Sequence, residues 1–375
     1  MSRLFSSFWL GGFESAHHIN RVGTRLDMIA ATQHDQLVDQ DYALLRQRGI
    51  RTVREGMRWP LIDHGRRLDF SSVRPMLDAA ERYGIQIIWS LCHYGWPEDV
   101  VHDTAAFVER FARYAAAAAR LVSEHSDAVP FYTPINEISF LAWAAAEVGY
   151  MHPREIGNGA RLKAQLVRAA IAAMEAIWDV EPRARMMHVD PLIHVVTPAG
   201  RPELARAAAD QRAAQFDAWD MLAGGLQPEL GGHPRYLDVI GLNYYHANQW
   251  EHPDQRLRWE DEPRDPRWVP LHLLLREVYH RYGRPLVISE TSHFGAGRAR
   301  WLREVADEVQ RARDDGIPVE GLCIYPVVDR PDWDDPGHWH HSGLWDLRPG
   351  EGRLERVACE EYLAELGRIQ ARLRI

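Results

Sequence analysis

Two glutamates occupy equivalent places in this chain. The run Val129-Pro-Phe-Tyr-Thr-Pro-Ile-Asn136-Glu137 is apolar and β-prone and ends in an amide and a carboxylate, and Pro285-Leu-Val-Ile-Ser-Glu290-Thr291 ends in a second carboxylate. Each acid thus falls where a strand meets its following loop. Breaking a glycosidic bond asks for such a pair: one carboxyl protonated to assist the leaving oxygen, the other ionised to attack or support an oxocarbenium-like centre. The two need different surroundings. A cation such as Arg54 near Glu290 favours the ionised form and a tyrosine hydroxyl orients it, while Glu137, with fewer cations about it, keeps its proton near neutral pH. The expectation is Glu290 as nucleophile and Glu137 as acid/base. In a retaining enzyme their carboxyls face each other at about 5–5.5 Å, whereas roughly 6.5–9.5 Å points to inversion.

Such a pair needs a scaffold that presents strand ends. Apolar, β-branched runs alternate along the chain with longer helical patterns, the signature of βα units and a parallel sheet. Strands are expected over residues 8–13, 50–54, 85–91, 129–135, 185–190, 238–243, 286–289 and 319–325. The helices between them are expected at 36–48, closed by Gly49, at 71–83, capped by Ser71-Ser72, and in an alanine-rich stretch opened by Thr104. Further helices follow at 161–178, 203–222, 271–282, 300–314 and 357–373. Eight pairs imply a (β/α)8 TIM barrel, one catalytic domain over residues 1–375, with functional groups at the C-terminal ends of the strands. A doubly wound open sheet would carry a glycine-rich phosphate loop after the first strand. Gly11-Gly12 runs instead into Phe13-Glu14, and Gly295-Ala-Gly297 lacks a third glycine. Residues 250–267, proline-rich and charged, read as a long loop over the sixth strand's end that forms part of a site rim.

Collecting what each strand delivers gives Glu14, His17 and His18 after the first, Arg54 on the second, His93 and Trp96 after the third, and Asn136 and Glu137 on the fourth. The sixth gives Asn243, Tyr244 and Tyr245, the seventh Glu290, and after the eighth come Asp329, Asp332 and Trp333. His, Asn and Asp groups suit a substrate made of hydroxyls, because hydrogen-bonding groups left unpaired by the wrong sugar carry a penalty. Asp190, at the end of the fifth strand, is either a helix cap or a subsite residue.

At these positions the chain resembles a divergent, shortened member of glycoside hydrolase family 1, in the large clan of (β/α)8 glycosidases. Thr133-Pro-Ile-Asn136-Glu137 is similar to that family's TxNE acid/base motif, and Val287-Ile-Ser-Glu290-Thr291 to its ITENG or VTENG nucleophile motif. The stretch 41–54, with Leu45, Gly49 and Arg54, resembles the helix and strand that carry the clan's active-site arginine, and Trp59-Pro60 follows. Cys92-His93-Tyr94-Gly95-Trp96-Pro97 is similar to the HxxxP sugar-binding segment, and Gly241-Leu-Asn243-Tyr244-Tyr245 to the strand whose tyrosine contacts the nucleophile. The run 325–333 resembles WSLxDNFEW, with Gly343-Leu344 after it. The resemblance implies retained hydrolysis of a β-linked glycoside. It also implies sugar contacts at His18, His93, Trp96, Asn136, Asn243, Tyr325, Asp332 and Trp333. Four departures imply a changed sugar pocket: Thr291-Ser292 replaces Asn-Gly after the nucleophile, His18 stands for a glutamine, Tyr325 for a tryptophan and Asp332 for a sugar-gripping glutamate.

Composition narrows the alternatives. With 44 basic and 53 acidic residues the formal charge is −9, and the arginines are scattered, so nucleic acid is not an expected partner. No run approaches the roughly 20 apolar residues of a membrane span. Cys92, Cys323 and Cys359 form no CxxC pair, which fits a reducing cytoplasm rather than a disulfide framework or zinc knuckle. The opening residues 1–10 read as the start of the first strand rather than a signal sequence. Most of the 14 tryptophans are expected in the core, the rest on a sugar-stacking surface. His338, His340 and His341 beside Asp332, Asp334 and Asp335 show no recurring ligand spacing, and neither metal nor cofactor is expected. The expected partner is a small glycoside or oligosaccharide. The rivals are transglycosylation at the same site and a carbohydrate-binding barrel without turnover.

Overall fold

The computed structural model describes residues 4–373, so the expectation for residues 1–10 falls partly outside the described residues. Eight parallel strands close a barrel: β1 (Trp9–Gly12), β2 (Thr52–Gly56), β3 (Gln86–Cys92), β4 (Phe131–Ile135), β5 (Arg185–Pro191), β6 (Val239–Asn243), β7 (Leu286–Thr291) and β8 (Val319–Ile324). Neighbours follow chain order, and β1 closes the ring against both β2 and β8, with Leu10 opposite Thr52 on one side and Cys323 on the other. The fold is thus the (β/α)8 barrel expected. Helices α1 (His34–Gln47), α2 (Arg74–Tyr83), α3 (Ala105–His125), α4 (Gly159–Trp178), α5 (Ala205–Ala213), α6 (Leu271–Tyr282), α7 (Gly297–Asp314) and α8 (Glu360–Arg372) form the outer layer. Gly84 and Gly283 end α2 and α6 in the left-handed region, at φ 59° and 61°, which glycine adopts without a Cβ penalty.

Strand alternation divides the core in two. Leu10, Ile88, Phe131, Met187, Val189, Val239, Val287 and Cys323 fill the barrel interior, with Phe5 lying 5.1 Å from Phe131. Ile87 and Trp89, on either side of Ile88, face the helical layer instead. Apolar groups pack the lower interior, and polar side chains occupy the C-terminal end.

Several local expectations give way. Residues 357–358 are not helical: Leu354–Ala358 pairs antiparallel with Trp345–Pro349, and α8 starts at Glu360. Val357 and Ala358 fit either period, which let the helical pattern run too far back. The stretch 203–222 is broken into α5, a tight turn at Ala214–Phe216 and a short helix Asp217–Ala223. Within 250–267, Gln249–Glu251 and Gln255–Arg256 join His194–Val196 in a three-stranded sheet. Ser71-Ser72 does not cap α2; Val73 stands at the N-cap position with no side-chain bond, and Ser71 N–H is bonded to Asp69. The Thr104 hydroxyl turns back to the Val101 carbonyl rather than into α3.

One charged cluster lies inside this shell, between the barrel and the helical layer. His34 sits between Asp41 (Nδ1 to Oδ2, 2.7 Å) and Glu55 (Nε2 to Oε1, 2.9 Å), all three side chains fully buried or nearly so. Tyr42 donates to the same Glu55 oxygen at 2.8 Å. Arg356, carried in by the C-terminal hairpin, donates to both oxygens of Asp41 at 2.7 and 2.9 Å. The Phe13 ring stacks on His34 at 3.6 Å. The cluster joins α1, β2 and the hairpin.

Among the described residues no helix is long and apolar enough to cross a membrane, and Cys92 and Cys323 are free and buried.

Candidate active site

Arg54, at the end of β2 and 1% exposed, ties together three strands. Its Nη1 donates to Glu290 Oε1 and to the Ser289 carbonyl, each at 2.8 Å, and its Nη2 donates to Asn136 Oδ1 at 2.8 Å. Burial alone would lower the guanidinium's pKa, but the Glu290 charge raises it above the ordinary value, so the cation persists. Glu290 owes its direction to an irregularity in β7. The register with β6 shifts between Ile288 and Glu290, and the register with β8 shifts between Ile288 and Thr291. A bulge of this kind re-aims a side chain. Tyr245 then donates to Glu290 Oε2 at 2.8 Å, so both carboxylate oxygens are held.

Glu137 follows β4 in the left-handed region at φ 49°, ψ 63°, a strained position for a residue with a Cβ. Its N–H donates to the Val189 carbonyl at 3.0 Å. Oε1 accepts from Asn243 Nδ2 at 2.8 Å, and Oε2 accepts from the Tyr94 hydroxyl. Burial, and then the nearby Glu290 charge, push its pKa up to about 8. The second strained residue of this pair is Tyr94, at φ 70°. Burial raises its hydroxyl well above the usual tyrosine value, as it does for Tyr245, so both remain donors.

Two chains of hydrogen bonds cross this end of the barrel, and the second joins the two carboxylates. One runs from the Ser289 hydroxyl to Asn243 Oδ1 at 2.7 Å and on to Glu137. The other runs from Arg54 through Asn136, whose Nδ2 donates to the Tyr94 hydroxyl at 3.1 Å and reaches His93 Nε2 at 3.2 Å. Because Nε2 faces an N–H donor, the His93 proton sits on Nδ1 and points to Ser15 Oγ at 2.9 Å. Burial, then Arg54, hold His93 well below its usual pKa, so the ring is neutral.

A third carboxylate adjoins them. Glu14, 6% exposed, accepts from Ala16 N–H at 3.1 Å and pairs with Arg330 Nε at 3.2 Å. The Tyr325 hydroxyl is 3.5 Å away and His93 Nε2 3.9 Å. Burial above all raises its pKa, and the Glu290 charge adds to this. Gly12 makes room for the Tyr325 ring, since a Cβ there would lie 2.1 Å from it, and the same ring lies 5.5 Å from the Arg54 guanidinium. His18 is 1% exposed, and neither ring nitrogen has a partner. Burial drops its pKa to about 3, and its edge meets the rings of Trp333 at 4.8 Å and Tyr94 at 6.1 Å. Trp333 Nε1 is also buried without a partner.

Two expected contacts lie elsewhere. Trp96 packs among Phe107, His102 and His152, at 5.6, 5.8 and 5.7 Å, in the layer under α3 rather than beside the carboxylates. Asp332 is occupied by its own turn, accepting from the N–H groups of Asp334 and Asp335 and pairing with His340 at 3.0 Å. Tyr244 turns outward, stacking on Trp301 at 5.6 Å. Asp190 acts as a cap, accepting from Ser139 N–H at 2.9 Å and its hydroxyl at 3.2 Å, just past Glu137. Tyr94 and Ser15 were missed, having no spacing or pattern to mark them.

Gly95 is where this site is least tolerant of a side chain. A Cβ there would come 1.7 Å from the His17 carbonyl oxygen, a backbone atom, and His17 N–H is bonded to the His93 carbonyl at 3.0 Å. Gly95→Ala is expected to destabilise the protein by about 1–3 kcal/mol, read as a lower urea midpoint, because the loop carrying His93 and Tyr94 must move.

No protein-family model matches the chain, and no curated protein matches it. Solved structures do. A β-glucosidase from Thermotoga maritima in complex with glucoimidazole superposes with TM-score 0.77 at 16% identity, over 97% of this chain and 98% of that one. A family 1 β-glucosidase from the same organism in complex with isofagomine lactam gives TM-score 0.74 at 15% identity, over 90% and 87%. The AHE enzyme from Alicyclobacillus herbarius gives 0.74 at 18% identity, over 91% and 87%. At these identities the likeness is one of fold.

Proposed function

We propose that the chain is a retaining β-glycosidase of the family 1 kind, using Glu290 as nucleophile and Glu137 as acid/base. The observation that carries this reading is the contrast between the two carboxyls. Glu290 is gripped by Arg54 and Tyr245. Glu137, buried and facing only neutral donors, has its pKa pushed up to about 8. In the first step Glu137 gives its proton to the leaving oxygen while Glu290 bonds to the anomeric carbon. In the second, Glu137 takes a proton from water, which displaces Glu290 and frees the sugar. The double displacement asks for no cofactor. The fold shared with the β-glucosidases supports the reading at the level of architecture.

Binding falls to groups that lack partners. The two free nitrogens of His18 and the Trp333 Nε1 are buried donors and acceptors that a sugar's hydroxyls would satisfy. His93, Asn136, Asn243 and Tyr325 line the same end of the barrel, and Glu14, held by Arg330, adds a buried carboxylate beside them. The same proposal takes residues 1–375 as one catalytic domain of a cytoplasmic protein, a reading that the unpaired cysteines support.

The test is nitrophenol release from aryl α- and β-glycosides in gluco, galacto, fuco, manno, xylo and glucuronide forms, followed by NMR of the first-formed anomer. Cleavage of a β-glycoside with the β-anomer appearing first is expected; an α-anomer, or no turnover across the panel, sinks the reading. The acid role also fixes a pH dependence. Glu137 must carry a proton to act as acid, so kcat/KM should fall as pH rises through about 8.

A further inference from the structure

We propose that His246, His293 and Glu260 form a divalent-metal site of zinc type behind the nucleophile strand. His246 directly follows Tyr245, His293 lies three residues beyond Glu290, and Glu260 comes from the loop over the sixth strand's end. Their donor atoms all lie within 4.8 Å of one another. The two imidazole rings are 4.0 Å apart, and His293 Nε2 is 3.2 Å from Glu260 Oε1. Donors bound at about 2.0–2.1 Å around a tetrahedral ion stand roughly 3.3 Å apart, so the His293–Glu260 pair already matches and the His246 ring must turn to join it.

The independent observation is the state of His246. It is 5% exposed and its Nδ1 has no hydrogen-bond partner. His293 Nδ1 accepts from the Phe294 N–H at 2.7 Å and lies 2.9 Å from the Phe294 carbonyl, so the backbone fixes the ring with Nε2 turned to Glu260. Trp259, Trp301 and Phe294 surround the pair with rings at 5.1, 6.0 and 5.3 Å, an apolar shell. Arg256 Nη2 donates to both Glu260 oxygens at 2.7 and 2.9 Å. That cation lowers the affinity for an ion, yet a carboxylate has about four acceptor positions, and Oε1 can serve both. Two imidazoles and a carboxylate suit zinc and its neighbours rather than calcium or magnesium, and three protein ligands leave a fourth position for water. Such an ion would fasten the segments after β6 and β7, from which Tyr245 and Glu290 reach the sugar, to the loop at residue 260.

The test is binding, independent of any glycosidase activity. Chelator-treated full-length protein is titrated with zinc chloride by calorimetry, with cobalt chloride as a visible-absorption probe, and thermal unfolding is followed with and without zinc. Wild type should bind one equivalent and unfold at a higher temperature with zinc. Glu260→Gln, at a part-exposed position that tolerates the change, and His246→Ala should each weaken binding at least about tenfold and lose the thermal shift. Circular dichroism of each variant checks that it is folded, and His338→Ala serves as a control that should bind as wild type does. No binding by wild type, or equal binding by folded Glu260→Gln, overturns the proposal.

Discussion

Glu290→Ala should lower turnover of whichever β-glycoside the wild type cleaves by about 10⁴-fold or more, the scale seen when a covalent nucleophile is removed from a site otherwise intact. The variant is expected to stay folded, because Arg54 keeps its bonds to the Ser289 carbonyl and Asn136. It should leave a space that a small anion can enter. Added azide is therefore expected to restore part of the rate and yield a glycosyl azide of inverted configuration, identified by NMR, since azide then attacks from the side Glu290 occupied. A second signature follows from the pairing of the acids. The Glu290 charge is the second cause, after burial, that raises Glu137, so its removal should shift the alkaline fall of the residual rate to lower pH. Full activity in Glu290→Ala, or azide rescue with a retained product, would assign the nucleophile elsewhere.

The second large effect concerns stability. Asp41→Ala should cost about 3–5 kcal/mol, because it leaves His34 and Arg356 as buried charges without their shared partner. The same cluster sets a pH dependence. Burial alone would lower the His34 pKa, but Glu55 and Asp41 overcome it and raise the value to about 9. A raised pKa means that the folded state binds the proton more tightly than the unfolded one. The contribution is therefore whole below about pH 6.5 and is lost as pH rises through about 9; its size is on the order of 3 kcal/mol. Urea midpoints measured between pH 6 and 10 should fall for wild type more steeply than for His34→Gln. The difference between the two isolates His34 from the buried thiols of Cys92 and Cys323, whose raised pKa values also cost stability at alkaline pH. Parallel curves would show that the imidazole is not charged in the folded state.

The barrel and its strand ends were legible because their signals are local. A short β-branched run ending in a polar residue marks a strand end, and eight of them in alternation with helices leave little choice of fold. The partners of those residues are not local. Arg54 reaches Glu290 across 236 positions, and apart from a resemblance to known motifs the one sign of that pairing was that both fall at strand ends. Tyr94 lay unmarked between two residues that were noticed, since its importance comes from a left-handed turn that no periodicity reveals. Trp96 and Asp332 were misplaced for a common reason: a position in a motif specifies the backbone site, while the neighbours decide whether the side chain faces the mouth, the outer layer or its own turn. Glu14 was noted without a role, because Arg330, which holds it, is 316 residues away in the chain.

The hairpin that delivers Arg356 to Asp41 also bears on how the protein is made. Those two residues are 315 positions apart, so α1 and β2 emerge from the ribosome long before the guanidinium that neutralises their buried acids. At roughly 5–20 residues per second that interval lasts on the order of tens of seconds. Throughout it the nascent N-terminal segment exposes an open barrel edge and an unbalanced charge, and it depends on slow assembly or on chaperones to stay out of aggregates.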